Sequence, residues 1–304
     1  MKKYFLGAMI STTIIFTSIY FYSSVSNTKA AETKSENNIS ETQTKTYPVP
    51  LPDKISFCGE PVPLSEPDIR ERLDRELLVN TYWQSQTLLI IKEYNKIRPL
   101  LEPVLKKYNM PADLIFLAAA ESGFKNVVSS SNAVGVWQLL NETGKLYGLE
   151  INAEVDQRYH YEKSTEAACL YLKSAYDKFG SWSMAACSYN MGMSGTATAI
   201  EKQKAKSYYD LSLTQEPSRY VFRILALKEI LNNPSKYGFI LNETDLYQPY
   251  SYKTIMVDSS ISSLADFSAD ENINYKKLKI LNPWLRASVL TNKYKKQYEI
   301  KIMN

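Results

Sequence analysis

The sequence predicts a mainly α-helical protein that ends in a small α+β module. Three observations carry this expectation. Apolar residues recur at helical spacing from about residue 64 to 245, with no strand-like alternation. Within that stretch, Leu114 to Ala120 is apolar on every side, as a helix at the centre of a bundle must be. After about Tyr252 the pattern becomes a short alternating run, two apolar helical patches and a second alternating run. With 304 residues, 44% hydrophobic and 22% charged, the chain is long enough for one sizeable core and a smaller second one.

Residues 1–30 read as an export signal or a membrane anchor. Lys2 and Lys3 precede an apolar stretch from Tyr4 to Tyr22, broken only by small or hydroxyl residues. That length sits on the border between a long signal peptide and a spanning segment, so cleavage and retention as a tether both stay open. The expected destination is the periplasm or the membrane of the cell envelope. Residues 31–63, rich in Ser, Thr, Asn, Lys and Glu and then in Pro48, Pro50, Pro52, Pro61 and Pro63, read as a flexible linker.

The helical region, residues 64–245, opens at Ser65-Glu-Pro-Asp68, where a capping Ser and first-turn acids precede Ile69, Leu73 and Leu77. Two helices are predicted over Thr87 to Ile97 and Leu100 to Tyr108, with Pro99 as the break between them. Asn109-Met-Pro-Ala-Asp-Leu opens the central helix, which Gly123 stops. Further helices are expected from Ser164 to Phe179, Ser181 to Asn190 and Pro217 to Leu231. In residues 250–304 the expected order is strand, helix, helix, strand.

Composition excludes several classes of function. The net charge of +4 includes Lys2, Lys3 and Lys29 of the export segment, so the remainder is nearly neutral and no nucleic-acid partner is indicated. Three cysteines are an odd count and argue against a disulfide framework; Cys169 and Cys187 lie in Ala-rich helical surroundings and read as core, whereas Cys58 falls in the linker. His160 is the only histidine, which leaves a Ser-His or Cys-His triad resting on one residue and no His-based zinc site. A hydrogen-bonding loop role suits His160 better. Nothing calls for a metal or an organic cofactor.

Glu121 is the candidate catalytic group. It follows Ile115-Phe-Leu-Ala-Ala-Ala120 at the C-terminal end of an apolar helix, where burial and the negative end of the helix dipole both disfavour the carboxylate. A raised pKa is what a general acid requires. Local pattern alone leaves the alternative of a surface glutamate at a helix end.

Four ordered motifs decide between these readings: Glu121-Ser-Gly-Phe124, Ser129-Ser-Ser-Asn-Ala-Val-Gly-Val-Trp-Gln138, Thr143-Gly-Lys-Leu-Tyr-Gly148 and Ser188-Tyr-Asn-Met-Gly192. Together they resemble the lysozyme-like lytic murein transglycosylases, most closely the membrane-bound type D group. The resemblance implies a lysozyme-like transglycosylase domain acting on peptidoglycan glycan strands, with Glu121 as sole catalytic carboxylate. It also implies substrate-binding roles for Ser129, Gln138, Tyr189, Asn190 and Tyr220. Each has a plainer alternative: Ser129 as a loop cap, Gln138 as a loop tie, Tyr189 and Tyr220 as core residues, Asn190 as a turn support. Ser130 and Met191 depart from the family pattern, and Met191 is expected to reshape the cleft floor. Asp156, in a polar loop, and Glu166, in the first turn of a helix where an acid is expected on dipole grounds, are the other carboxylates that could act as a second acid, and neither position marks a catalytic group. The tail resembles a diverged LysM repeat, although Asp258-Ser259 stands where a Gly-Asp turn is usual; glycan binding and a purely structural cap are both open for it.

The implied reaction cleaves the N-acetylmuramic acid to N-acetylglucosamine β-1,4 bond and leaves 1,6-anhydro ends. A goose-type hydrolytic muramidase and a catalytically silent wall-binding protein are the alternatives.

Overall fold

The computed structural model describes residues 46–304; the predicted export segment and the first part of the predicted linker lie outside the described residues. Residues 48–304 form one compact unit.

The second half of the predicted linker is folded, not flexible. Ser56–Phe57 (β1) and Glu60–Pro61 (β2) pair antiparallel through Cys58 and Gly59, whose φ values of 53° and 86° make the tight turn that suits a two-residue hairpin. Polar anchors hold this hairpin to the bundle. Asp113 accepts from the Cys58 amide at 2.7 Å and from Lys228 at 2.6 Å, and Glu60 accepts from the Ser183 amide and hydroxyl at 3.0 and 2.9 Å. Val49, Phe57 and Val62 are buried in the main core. Proline content suggests a tether, but here the prolines stiffen a strap that packs Val49, Phe57 and Val62, and in part Leu51, Ile55 and Leu64, against the core. Burial also pushes the Cys58 thiol far above its usual range, so it stays protonated.

Helix α1 spans Pro67–Tyr82, with Pro67 in its first turn and Glu66, not Ser65, at the cap position. Helix α2 spans Gln84–Lys107 without interruption, although it contains Pro99 and Pro103. The predicted break at Pro99 does not occur. Both prolines are on the exposed side, four residues apart, so the carbonyls they leave unpaired face water and the helix continues. After a 3₁₀ turn at Ala112–Leu114, helix α3 covers Ile115–Ser122, buries Ile115 to Ala119, and ends on Gly123 at φ 60°.

The remaining helices of the main domain are α4 (Asn141–Leu146), α5 (Tyr161–Phe179), α6 (Trp182–Met191), α7 (Met193–Gln203) and α8 (Gln215–Asn232). Ser181 caps α6 through its hydroxyl, and His160 caps α5 by accepting from the Lys163 amide at 3.5 Å, the loop role expected of it. Glu166 sits past the first turn of α5, paired with Lys107 and Lys163. The sequence reading missed α4 and α7 because each buries only one small residue, Gly144 and Thr196, and so carries no apolar stripe. Helix α3 lies at the centre, against α2 on one side and α8 on the other; α1 packs along α8, and α5 against α2 and α6. Cys169 and Cys187 are buried in this core as expected.

In the tail, β3 (Tyr252–Val257) and β4 (Tyr298–Met303) pair antiparallel, with Tyr252 opposite Met303 and Val257 opposite Tyr298. Between them come α9 (Leu264–Asp270) and α10 (Tyr275–Leu281), the predicted order. Their core of Val257, Leu264, Leu278, Trp284, Leu285 and Ile300 also takes in Val155 of the main domain. The junction is further tied by the Asp156 amide on the Trp284 carbonyl at 2.9 Å, the Arg286 amide on the Glu154 carbonyl at 2.7 Å, and the Thr291 amide and hydroxyl on the Glu154 carboxylate. Asp156 lies in a loop, as expected, but in one packed against the tail. It is buried and makes a two-pronged pair with buried Arg158, at 3.0 and 2.7 Å.

Candidate active site

Helix α3 is apolar because it is surrounded, and its first polar side chain with a way out is Glu121, its second-last residue. The Gly123 cap turns the chain away there, so the carboxyl reaches an open cleft of about 650 Å³. Burial lifts its pKa from 4.5 to about 7; a hydrogen bond from Tyr220 and the charge of Arg223 pull against the rise, and Glu216 adds to it. The dominant cause is the one read from the sequence.

Tyr220, on α8, donates its phenol hydrogen to Glu121 Oε1 in a short contact. Its ring is fully buried, so the packing role and the site role are both real. Tyr189, on α6, lines the same cleft, but its hydroxyl donates to the Trp137 carbonyl at 2.7 Å, so the phenol on the Glu121 carboxyl is that of Tyr220 instead. Burial and the nearby Glu121 hold both phenols well above their ordinary pKa, and they remain hydrogen donors. Trp137 is held in turn by its indole N–H on Thr165 Oγ1 at 2.7 Å, and Tyr171 stacks edge-on against Tyr189 at 5.1 Å.

The loop after α3 forms another wall. Ser129 Oγ accepts from the amides of Ser131 and Ala133 at 3.2 and 3.0 Å, which is the loop-cap alternative, yet the residue also lines the cleft. Gln138, at φ 48°, ties the loop by donating to the carbonyls of Gly135 and Val127 at 2.7 and 3.0 Å. Its amide nitrogen is thus engaged within the protein while the residue still borders the cleft. Asn190 and Met191 line the cleft beside Gly192, so Met191 does shape its wall. Gly135 is needed for close approach: at φ 86°, an added Cβ would lie 2.0 Å from the Arg158 carbonyl oxygen. Gly135→Ala is expected to destabilise the fold by roughly 2–4 kcal/mol, read as a lower urea midpoint in circular dichroism.

Two further charged residues, to which the sequence analysis gives no role, border the cleft. Glu216 and Arg223, seven residues apart across the start of α8, form a fork at 3.0 and 3.1 Å, and Arg223 holds the Glu216 carboxyl below its usual range. A continuation of the groove beyond Glu121 is bordered by Glu76, Asn80, Trp83, Gln86 and Arg223. Glu76 is buried and paired with Arg219 at 2.7 Å and Arg75 at 2.6 Å. Of the three carboxyls bordering the two halves, only Glu121 has no arginine bonded to it. The signal for Arg223 was its one-turn spacing from Tyr220.

Tyr220→Phe is expected to raise the Glu121 pKa further, because it deletes a hydrogen bond that favours the charged form. The alkaline limb of a glycan-cleavage pH profile should move to higher pH, and the maximal rate should fall about tenfold or more, the loss typical of a hydrogen bond to an ionised group.

A helical bundle that presents one acid-tuned glutamate in an open cleft, with a βααβ module packed behind it, has the architecture of the lysozyme-like class. Residues 100–212 match the family described as Transglycosylase SLT domain, and residues 253–304 match the soluble lytic transglycosylase C-terminal LysM-like domain. The membrane-bound lytic murein transglycosylase D of Escherichia coli (strain K12) is 30% identical over 250 residues, 78% of this chain and 53% of that protein. A putative tributyltin chloride resistance protein of Alteromonas sp. (strain M-1) is 30% identical over 105 residues, 34% of this chain and 51% of its own length. The chain thus spans about half the length of the curated relatives it matches. The X-ray structure of an inactive mutant of the lytic transglycosylase Slt from Pseudomonas aeruginosa aligns with a TM-score of 0.39 at 19% identity, over 50% of this chain and 26% of that one. Tyr220 and Arg223 lie beyond the matched SLT segment.

Proposed function

We infer that this chain is a peptidoglycan lytic transglycosylase of the cell envelope that cleaves the N-acetylmuramic acid to N-acetylglucosamine β-1,4 bond and leaves 1,6-anhydro-muramyl ends. One observation carries the reading: Glu121 has a pKa lifted to about 7 in a cleft whose other carboxyls are each bonded to an arginine. Ordinary glycosidases need two working carboxyls, and substrate-assisted enzymes are the exception that needs one.

In that mechanism protonated Glu121 gives its proton to the bridging oxygen as the C1–O bond breaks. The carbonyl oxygen of the muramyl acetamido group closes on C1 and carries the developing charge. Glu121, now a carboxylate, takes the proton of the muramyl C6 hydroxyl while that oxygen displaces the acetamido group from C1. The acid is regenerated and no water is consumed. Tyr220 steadies Glu121; Ser129, Gln138, Tyr189 and Asn190 are assigned to the walls that receive the sugars. Delivery to the envelope, by a cleaved signal or a retained membrane tether, is part of the same reading.

Mass spectrometry of peptidoglycan digested by the full chain tests it. Products one water lighter than hydrolytic fragments are expected. Reducing ends would make the chain a hydrolytic muramidase, and no cleavage would leave a glycan-binding protein.

A further inference from the structure

A second cavity of about 530 Å³ lies away from Glu121, where α2 and Tyr161 of the main domain meet the tail. Its floor is apolar, from Ile97, Leu100 and Leu281. Three ammonium groups from three separate elements converge on it: Lys96 of α2, Lys279 of α10 and Lys301 of β4. Lys301 is paired with Glu162, and Lys96 lies 3.5 Å from Glu93. Lys279 has no carboxylate within ion-pair distance among the described residues; it donates to the carbonyls of Leu285 and Ala287. Burial and the charge of Arg286 hold its pKa down, the mark of a cation short of a counter-charge. Tyr250 and Tyr252 wall the cavity, each with an ammonium over its ring, Lys96 at 5.3 Å and Lys301 at 4.6 Å. The Tyr161 phenol stands among these groups, its pKa raised by burial and by Glu93 and Glu162, and so remains a donor.

We propose that this junction pocket binds a short acidic peptide by its carboxylates, the chemistry presented by the stem peptides of peptidoglycan. Surplus positive charge selects an anion, and the apolar floor favours small aliphatic side chains next to the carboxylate over a bare inorganic ion. The phenols add hydrogen donors and flat surface. The glycan backbone itself offers N-acetyl and hydroxyl groups, which such a surplus does not recognise. Because both cores contribute walls, the pocket exists only when the tail is seated. The identity of the peptide rests on the proposed function: a glycan strand held in the Glu121 cleft would carry such stems along the surface of the protein.

Calorimetric titration of the full chain with the soluble tripeptide L-alanyl-γ-D-glutamyl-meso-diaminopimelate tests the assignment. Saturable one-to-one binding is expected, weakened at least tenfold by Lys96→Gln, by Tyr250→Ala, and by amidation of the peptide carboxyls. Lys96 and Tyr250 stand at the rim, so neither substitution opens the core. Glu121→Gln should bind the tripeptide as the unmodified chain does. Failure to saturate, equal affinity for the amidated peptide, equal affinity in both variants, or displacement by inorganic phosphate at equal concentration would each overturn the proposal. Tripeptide binding by a chain that cleaves no glycan would leave the pocket standing and overturn the enzymatic reading alone.

Discussion

Replacement of Glu121 by Gln is expected to lower glycan cleavage at least about 10³-fold, the scale set by losing a positioned general acid, while making the protein more stable above neutral pH. The two effects have one cause. The Glu121 pKa is about 7 in the folded chain and 4.5 as an isolated group. Between those values the unfolded chain has released the proton and the folded chain has not, so stability falls as pH rises through that window and levels off above about 7. The cost at pH 8 is at most about 3 kcal/mol, from the size of the shift. Urea unfolding at pH 4.5 and pH 8 checks this: Glu121→Gln should match the parent at the lower pH and exceed it at the higher. A variant equal to the parent at both would mean that the carboxyl is solvated in the native state. The same pKa sets the activity profile, since the acid form is the working one, and the rate should decline about tenfold per pH unit above 7.

Asp156→Ala should cost about 3–5 kcal/mol, the range for removing one partner of a buried ion pair. Arg158 would keep its burial and its contacts with the carbonyls of Asn132 and Leu139 at 3.3 Å but lose its counter-charge. Those two carbonyls belong to the loop that carries Ser129 and Gln138, so cleavage should fall as well as stability. The double variant Asp156→Ala with Arg158→Met should recover part of the lost stability, because it removes the stranded charge. Thermal unfolding of the three proteins separates this from a simple loss of packing, which the second substitution would deepen.

Much of this was legible in the sequence. The central helix, its Gly123 stop and the elevated acid at its end follow from seven apolar residues in a row and a glutamate after them. The strand–helix–helix–strand tail followed from a change of period. Prolines misled twice, at Pro99 and in residues 48–63, because what a proline does depends on whether the carbonyl it strands can reach water, and only packing decides that. The hydrogen-bond partner of Glu121 was not legible for a similar reason. Tyr189 and Tyr220 are both phenols near the acid, and only the packed arrangement turns the Tyr220 hydroxyl toward it while Tyr189 bonds the Trp137 carbonyl. The forks that occupy Glu216 and Glu76 join residues 7 and 143 apart, and the longer of these separations leaves no local trace.

The seat of the tail on residues 150–160 also bears on how such chains can be recombined. A module joined only by a linker can be exchanged like a cassette. Here one residue of its core, Val155, is inside the other domain, flanked by Glu154 and by the His160 ring stacked on Trp284 at 5.7 Å. A graft would have to carry that loop with it. The same loop supplies Asp156 and Arg158, which brace the wall of the catalytic cleft, so a foreign tail would be answerable to the active site from the moment it was attached.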